Sequence, residues 1–237
     1  MNKLVTAVKN LDLEAIKTLI AKDPKWIDWA EKDGKNALHY LCGLAVADNE
    51  YKVEQGLQIL KFLLKSGVDI NSIHKIPEHG GYFPGMPLWY AYTRGRNERL
   101  YTYLLKNGAD PNHCMFAIAW YDDPKAAALF KKFGADINEL AGEGSPFLAA
   151  FSWRKFAAAE WFLKNGADVD IADNKGNTAL FYAVKRKFDN EQIEMLLKYG
   201  ADPNKKNKEG ISPKMLAESK GTRKILNLLM LTPIDGP

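Results

Sequence analysis

The chain has 237 residues, 46% hydrophobic and 26% charged, proportions that exclude collagen-like, disordered and disulfide-scaffold classes and require a packed core. No apolar run reaches the ~20 residues of a membrane helix, the start Met1-Asn2-Lys3-Leu4 opens no signal-peptide core, and the only cysteines are Cys42 and Cys114, so a cytoplasmic protein with reduced thiols and no membrane contact is expected. The net charge of +4 sits at one end: residues 205–224 hold seven basic and two acidic side chains, whereas residues 1–204 balance 26 of each.

The first apolar positions, Leu4, Ala7, Val8, Leu13, Ile16, Leu19 and Ile20, recur at helical spacing and stop at Asp23-Pro24, which predicts two short helices. A second pair opens at Gly34-Lys-Asn-Ala-Leu38-His39, and its longer helix is marked by Leu57, Leu60, Leu63 and Leu64. That helix runs into Gly67-Val-Asp-Ile-Asn71, a pentad that returns as Gly108-Ala-Asp-Pro-Asn112, Gly134-Ala-Asp-Ile-Asn138, Gly166-Ala-Asp-Val-Asp170 and Gly200-Ala-Asp-Pro-Asn204. The spacings of 41, 26, 32 and 34 average about 33, a period that only a repeat architecture explains. Each glycine supplies the left-handed residue that ends a helix cheaply, and the Asp-x-Asn after it can hydrogen-bond its own backbone to open a turn. About nine residues on comes a second helix start, clearest in Ser145-Pro146-Phe147, Gly176-Asn-Thr178-Ala-Leu-Phe and Gly210-Ile-Ser212-Pro213, where a hydroxyl caps the free amides and proline fits the first helical position.

The unit is therefore turn, short helix, longer helix, turn, and it resembles the ankyrin repeat, in which Asp-x-x-Gly-x-Thr-Pro-Leu-His opens the unit and Gly-Ala-Asp-Val-Asn closes it. Asp173-Asn-Lys-Gly176-Asn-Thr178-Ala-Leu180-Phe followed by Gly200-Ala-Asp202 matches best, and Gly34-Lys-Asn-Ala-Leu38-His39 is a second match. The resemblance implies an all-α ankyrin-repeat solenoid of about seven helix-turn-helix units with short hairpin-like fingers. It is read as one domain over 1–237, with units near 1–30, 31–71, 72–112, 113–138, 139–170, 171–204 and 205–231. In the last unit Lys214 stands where the motif has leucine, as suits a cap exposed on one side.

Three units depart from the pattern. The second carries about nine extra residues, placed at Ala45 to Glu54 between its helices. The third has a finger seven residues longer than normal, His74-Lys-Ile-Pro-Glu-His79-Gly-Gly-Tyr82-Phe83-Pro-Gly-Met86, rich in turn formers and carrying aromatics. The fourth starts its helix almost directly after Asn112, so its finger is largely missing, and the long third finger is expected to lean over that notch.

Nucleotide, zinc-protease and hydrolase signatures are absent, so no catalytic residue, cofactor or metal is expected. A thiol nucleophile at Cys42 or Cys114, beside His39 or His113, is the weak enzymatic alternative; the resemblance implies instead that His39 hydrogen-bonds a neighbouring finger. His74 and His79 lack the further donors that a metal site needs. Met115, Phe116, Phe147, Leu180 and Leu88 follow core spacing.

In ankyrin repeats the residues ending the first helix face the partner groove with the fingertips, here Thr93-Arg94, Trp120-Tyr121, Ser152-Trp153 and Lys185-Arg186. Aromatic and arginine side chains dominate protein interfaces. The expected function is thus a monomeric, non-catalytic scaffold that holds a protein or peptide partner through Tyr82, Phe83, Arg94, Trp120, Tyr121, Trp153, Lys185 and Arg186. A nucleic-acid-binding groove is the alternative, disfavoured by the neutral body.

Overall fold

The computed structural model describes residues 2–141 and 144–230. They fall into two compact units, Met1–Cys114 and Met115–Pro237, and every regular element but one hairpin and one 3-10 turn is a helix. Met1 and residues 231–237, the ends of the expected domain, lie outside the described residues, as do residues 142 and 143.

The first unit contains α1 (Lys3–Lys9), α2 (Leu13–Lys22), a 3-10 turn at Pro24–Trp26, α3 (Ala37–Cys42), α4 (Glu50–Lys65), a hairpin of β1 (His74–Glu78) and β2 (Gly81–Gly85), α5 (Pro87–Thr93) and α6 (Glu98–Lys106). The second contains α7 (Met115–Tyr121), α8 (Pro124–Lys132), α9 (Pro146–Ser152), α10 (Phe156–Lys164), α11 (Ala179–Lys185), α12 (Asn190–Lys198), α13 (Pro213–Ser219) and α14 (Arg223–Met230). Among the described residues this makes seven consecutive helix pairs, one for each expected repeat.

The helices start where the sequence supplies a cap. Ser145, Thr178 and Ser212 accept the backbone N–H of Leu148, Phe181 and Met215 at 3.3, 3.2 and 3.2 Å, and proline fills the first position of α5, α9 and α13. The closing pentads are five copies of one turn. In each, the aspartate (Asp69, Asp110, Asp136, Asp168, Asp202) accepts the N–H two residues on at 2.7–2.9 Å. The glycines before them have φ of +85 to +101°, a region costly for a residue with Cβ. The final Asn or Asp of a pentad then stitches to the next: Asn71 Oδ1 accepts the Asp110 N–H at 2.8 Å, and Asp170 accepts that of Asp202.

The core runs along the facing stripes of each pair, with Leu4, Ile16, Leu38, Leu41, Ile59, Leu60 and Leu63 fully buried in the first unit and Phe130, Phe147, Phe151 and Phe162 in the second. Leu88, Met115, Phe147 and Leu180 are core residues as expected. Phe116 is not. The buried stripe of α7 is Met115, Ile118 and Ala119, and Phe116, one residue or about 100° off that stripe, is half-exposed.

The irregular units differ in detail from expectation. The extra length of the second is mostly helix rather than loop: α4 has 16 residues against nine in α6, α8, α10 and α12, so Glu50 to Glu54 form its first turn. Asn49 caps it by accepting the Lys52 N–H at 3.0 Å, and Arg99 on α6 clamps Glu50 and Glu54. The long third finger is a two-stranded hairpin, paired from His74 opposite Gly85 to Glu78 opposite Gly81 and turned at His79-Gly80. α7 begins three residues after Asn112, with no finger before it.

Candidate groove site

In the second unit the helix ends fall where the spacing places them: Trp120 and Tyr121 finish α7, Trp153 follows α9, Lys185 ends α11 and Arg186 follows it. The indoles of Trp120 and Trp153 meet edge to face at 5.2 Å between centroids. They remain 55% and 41% exposed, and Tyr121 is 40% exposed, so these rings are presented rather than packed away. Arg186 is held in place. Its Nη1 donates to the Ser152 carbonyl at 2.8 Å, and its guanidinium lies 4.6 Å from the centre of the Tyr182 ring.

Tyr182 in turn donates to Asp173 Oδ2 at 2.5 Å. Burial raises the Asp173 pKa, but this hydroxyl and the backbone amides of Asn177 and Lys175 outweigh it and hold the carboxyl below its ordinary value. Burial and the same carboxylate push the Tyr182 phenol up. These groups line a cavity of about 370 Å³, to which Phe116 and Leu148 add apolar surface and Trp153 an indole beside Asp173, Tyr182 and Arg186.

The first unit holds the other three expected residues. Tyr82 is 51% exposed on β2, with Lys75 5.4 Å from its ring. Phe83 is half-buried and packs on Trp89 and His113 at 5.2 and 6.2 Å, and Arg94 lies 5.9 Å from Trp89. Phe83 and Arg94 therefore share Trp89, while Tyr82 points its ring toward a different cation.

His39 behaves as the resemblance implies. Its Nδ1 accepts the Asn36 N–H at 3.1 Å, which leaves Nε2 to donate to the Gly85 carbonyl of the long finger at 3.0 Å. Burial depresses its pKa to about 4, so it is neutral at pH 7. His74 is bonded on both sides, to Tyr90 Oη at 2.5 Å and to Asp33 Oδ2 at 3.0 Å, and among the described residues no cluster of donors could hold a metal. Cys42 is fully buried, and burial pushes its thiol well above the ordinary range, the wrong direction for a nucleophile.

Three residues of these sites escaped the sequence reading: Trp89, Asp173 and Tyr182. A signal for the last two exists. Asp173 and Tyr182 are nine residues apart, as are Glu31 and Tyr40, whose hydroxyl likewise donates to the acid at 2.5 Å. An acid opening the finger and a tyrosine one turn into the helix thus form a recurrent pair.

The profile described as ankyrin repeats (3 copies) matches residues 114–207 and 147–235. An ankyrin repeat protein of Acanthamoeba polyphaga mimivirus is 49% identical over 53 residues, 22% of this chain and only 13% of that protein. Among solved structures, the human ASB11 ankyrin repeat domain matches with a TM-score of 0.69 at 23% identity, covering 100% of this chain and 99% of that one. The ankyrin repeat domain of Bcl-3, a member of the IkappaB family, matches with a TM-score of 0.75 at 20% identity over 97% and 98% of the two chains. Domains of this kind are typically protein-interaction modules and generally non-catalytic. No described helix is long and apolar enough to cross a membrane. With seven helix pairs and five closing turns among its described residues and a profile match over more than half its length, the chain belongs to the ankyrin-repeat family.

Proposed function

We propose that the chain is a non-catalytic scaffold that captures a protein or peptide segment, and that its principal capture site is the cavity of the second unit. The observation that carries this reading is the pair of exposed indoles beside a guanidinium fixed on two partners. Rigid aromatic anchors and a pre-placed arginine lose little side-chain entropy on binding, which is why such residues become interface hot spots. Tyr121 and Lys185, next in sequence to Trp120 and Arg186 at the helix ends, extend the surface, and Tyr82, Phe83 and Arg94 offer a secondary one on the first unit. The whole chain acting as one domain and as a monomer belongs to the same proposal.

The test is affinity purification of the partner on the intact chain, followed by binding and melting measurements on Trp153→Ala and Phe83→Ala. Trp153→Ala is expected to weaken binding by about 2 kcal/mol or more with the melting temperature nearly unchanged. Unchanged affinity together with a large loss of stability would assign the ring to packing and end the reading.

A further inference from the structure

The helix ends of the second unit change chemistry along a row. At one end stand the Trp120 and Trp153 indoles. Next comes Arg186, laid back on the Ser152 carbonyl, and then Lys220 after α13, whose Nζ donates to the Lys185 carbonyl at 2.9 Å. Each cation reaches back to the preceding repeat, so its position along the row is fixed rather than left to a free side chain. The stacked fingers alongside add Lys175 and Lys208, joined by the Lys208 N–H donating to the Lys175 carbonyl at 3.0 Å. Lys175, Lys185, Lys208 and Lys220 are exposed, and no described carboxylate pairs with any of them. The stretch 205–224 supplies only Glu209 and Glu218 against its seven basic side chains.

We propose that this row selects an acidic polypeptide segment carrying an apolar residue on one side of its acids. The apolar residue seats against Trp153 in the cavity, and the carboxylates lie over Arg186, Lys185 and Lys220. Charge complementarity names the acidic part, since a planar carboxylate fits a guanidinium by two parallel hydrogen bonds. The cavity names the polypeptide part. Its wall includes a single indole, Trp153, which meets Trp120 edge-on rather than offering with it parallel platforms to successive bases. The indole end holds one cation, Lys155, 5.9 Å from the Trp120 ring, whereas Arg186 and Lys220, fixed on backbone carbonyls, and Lys185 gather at the other, so the bound segment has one direction. This inference rests on the groove reading and adds the partner's chemistry and polarity.

The test is selection of a displayed library of random twelve-residue peptides on the full chain, on Trp153→Ala, and on a variant with Lys185→Glu, Arg186→Glu and Lys220→Glu, each checked by thermal melting. Peptides selected on the parent are expected to be rich in Asp and Glu, with an aromatic or aliphatic residue always on the same side. A synthetic peptide of that pattern should bind at least about tenfold more weakly to either variant, and more weakly as salt rises from 50 to 300 mM. Peptides without acidic bias that still depend on Trp153 would overturn the inference and leave the groove reading standing. A library yielding no Trp153-dependent peptide would overturn both. A twenty-nucleotide single-stranded DNA that binds more tightly than the selected peptides at the same salt, and loses affinity in the charge-reversed variant, would overturn the choice of polypeptide.

Discussion

The Asp170 carboxylate accepts the backbone N–H of Asp202 with both oxygens at 3.1 Å, filling with a charge a place that Asn71 fills with an amide. Asn71 satisfies two groups of the next turn, since Oδ1 accepts from Asp110 at 2.8 Å and Nδ2 donates to the Gly108 carbonyl at 3.3 Å. Asp170 satisfies one. Burial raises its pKa, opposed by the Asp202 N–H and by Lys205, and Asp202 and Asp168 add repulsion.

Asp170→Asn should therefore stabilise the protein by about 0.5–1 kcal/mol at pH 7, because the amide can also donate to the following turn and carries no charge to desolvate. The sign of the pH dependence is fixed. A carboxyl whose folded pKa is raised favours folding most when protonated, so the advantage of the variant shrinks as pH falls through that raised value. Urea titrations of both proteins at pH 7 and pH 4 measure it, and an equal difference at both would refute the assignment.

Two classes of glycine should separate in alanine scans. At Gly166, φ is +95° and an added Cβ meets no atom within 4 Å, so alanine costs only backbone strain, roughly 1 kcal/mol. At Gly34, φ is +91° and the Cβ would lie 2.2 Å from the Ile73 carbonyl oxygen, which forces the finger off its neighbour. Gly34→Ala should lower the melting temperature clearly more than Gly166→Ala does.

His39 should make the first unit acid-sensitive. Its folded pKa of about 4 lies below the ordinary 6.5, so its contribution is complete above pH 6.5 and is lost as pH falls through about 4, at up to about 1.4 kcal/mol per unit. His39→Gln should be less stable at pH 7 and should lose less on acidification. His74, Tyr90, Asp33 and Lys35 surround it, so the difference between variant and parent is the quantity to follow by denaturant titration at successive pH values.

Removal of residues from Lys205 onward should cause aggregation. Ile193 and Leu196 are fully buried on α12, which packs against α14, whose Ile225 and Leu229 are also buried, and a terminal repeat with a polar outer face keeps such stripes from solvent. Light scattering on purified 1–204 decides the matter. A soluble fragment with a cooperative melt would show that the basic repeat is not a cap.

The period of the fold was legible because each closing pentad must solve the same local problem: a positive φ after a helix and an Asp-x-Asn turn, which few residues solve well. The turn inside each pair was not legible. Leu11, Arg96, Asp122, Arg154 and Lys187 all have φ between +49 and +60° at the equivalent place, and only Gly221 there is a glycine. Tertiary packing imposes the left-handed residue, and nothing in side-chain type announces it. Phe116 was misread for a related reason, since apolarity marks a residue that can be buried, whereas one residue's rotation along α7 decides that it lines a cavity. Of the site, the exposed helix-end indoles follow from helix register together with the ankyrin resemblance, which marks those positions as groove-facing. The restraint of Arg186 by Ser152 and Tyr182 needs the three-dimensional arrangement, because its partners are a carbonyl shared by all sequences and a ring in the preceding turn.

The edge-on contact of Trp120 with Trp153 gives the second unit an optical reporter of its own. Indole transitions held at a fixed angle and short range couple, and the coupling produces a paired circular-dichroism signal that vanishes once α7 and α9 separate. The docking of two adjacent repeats can therefore be timed in a mixing experiment without any label, and apart from the helical signal common to all seven. A ligand that wedges between the rings would announce itself in the same band.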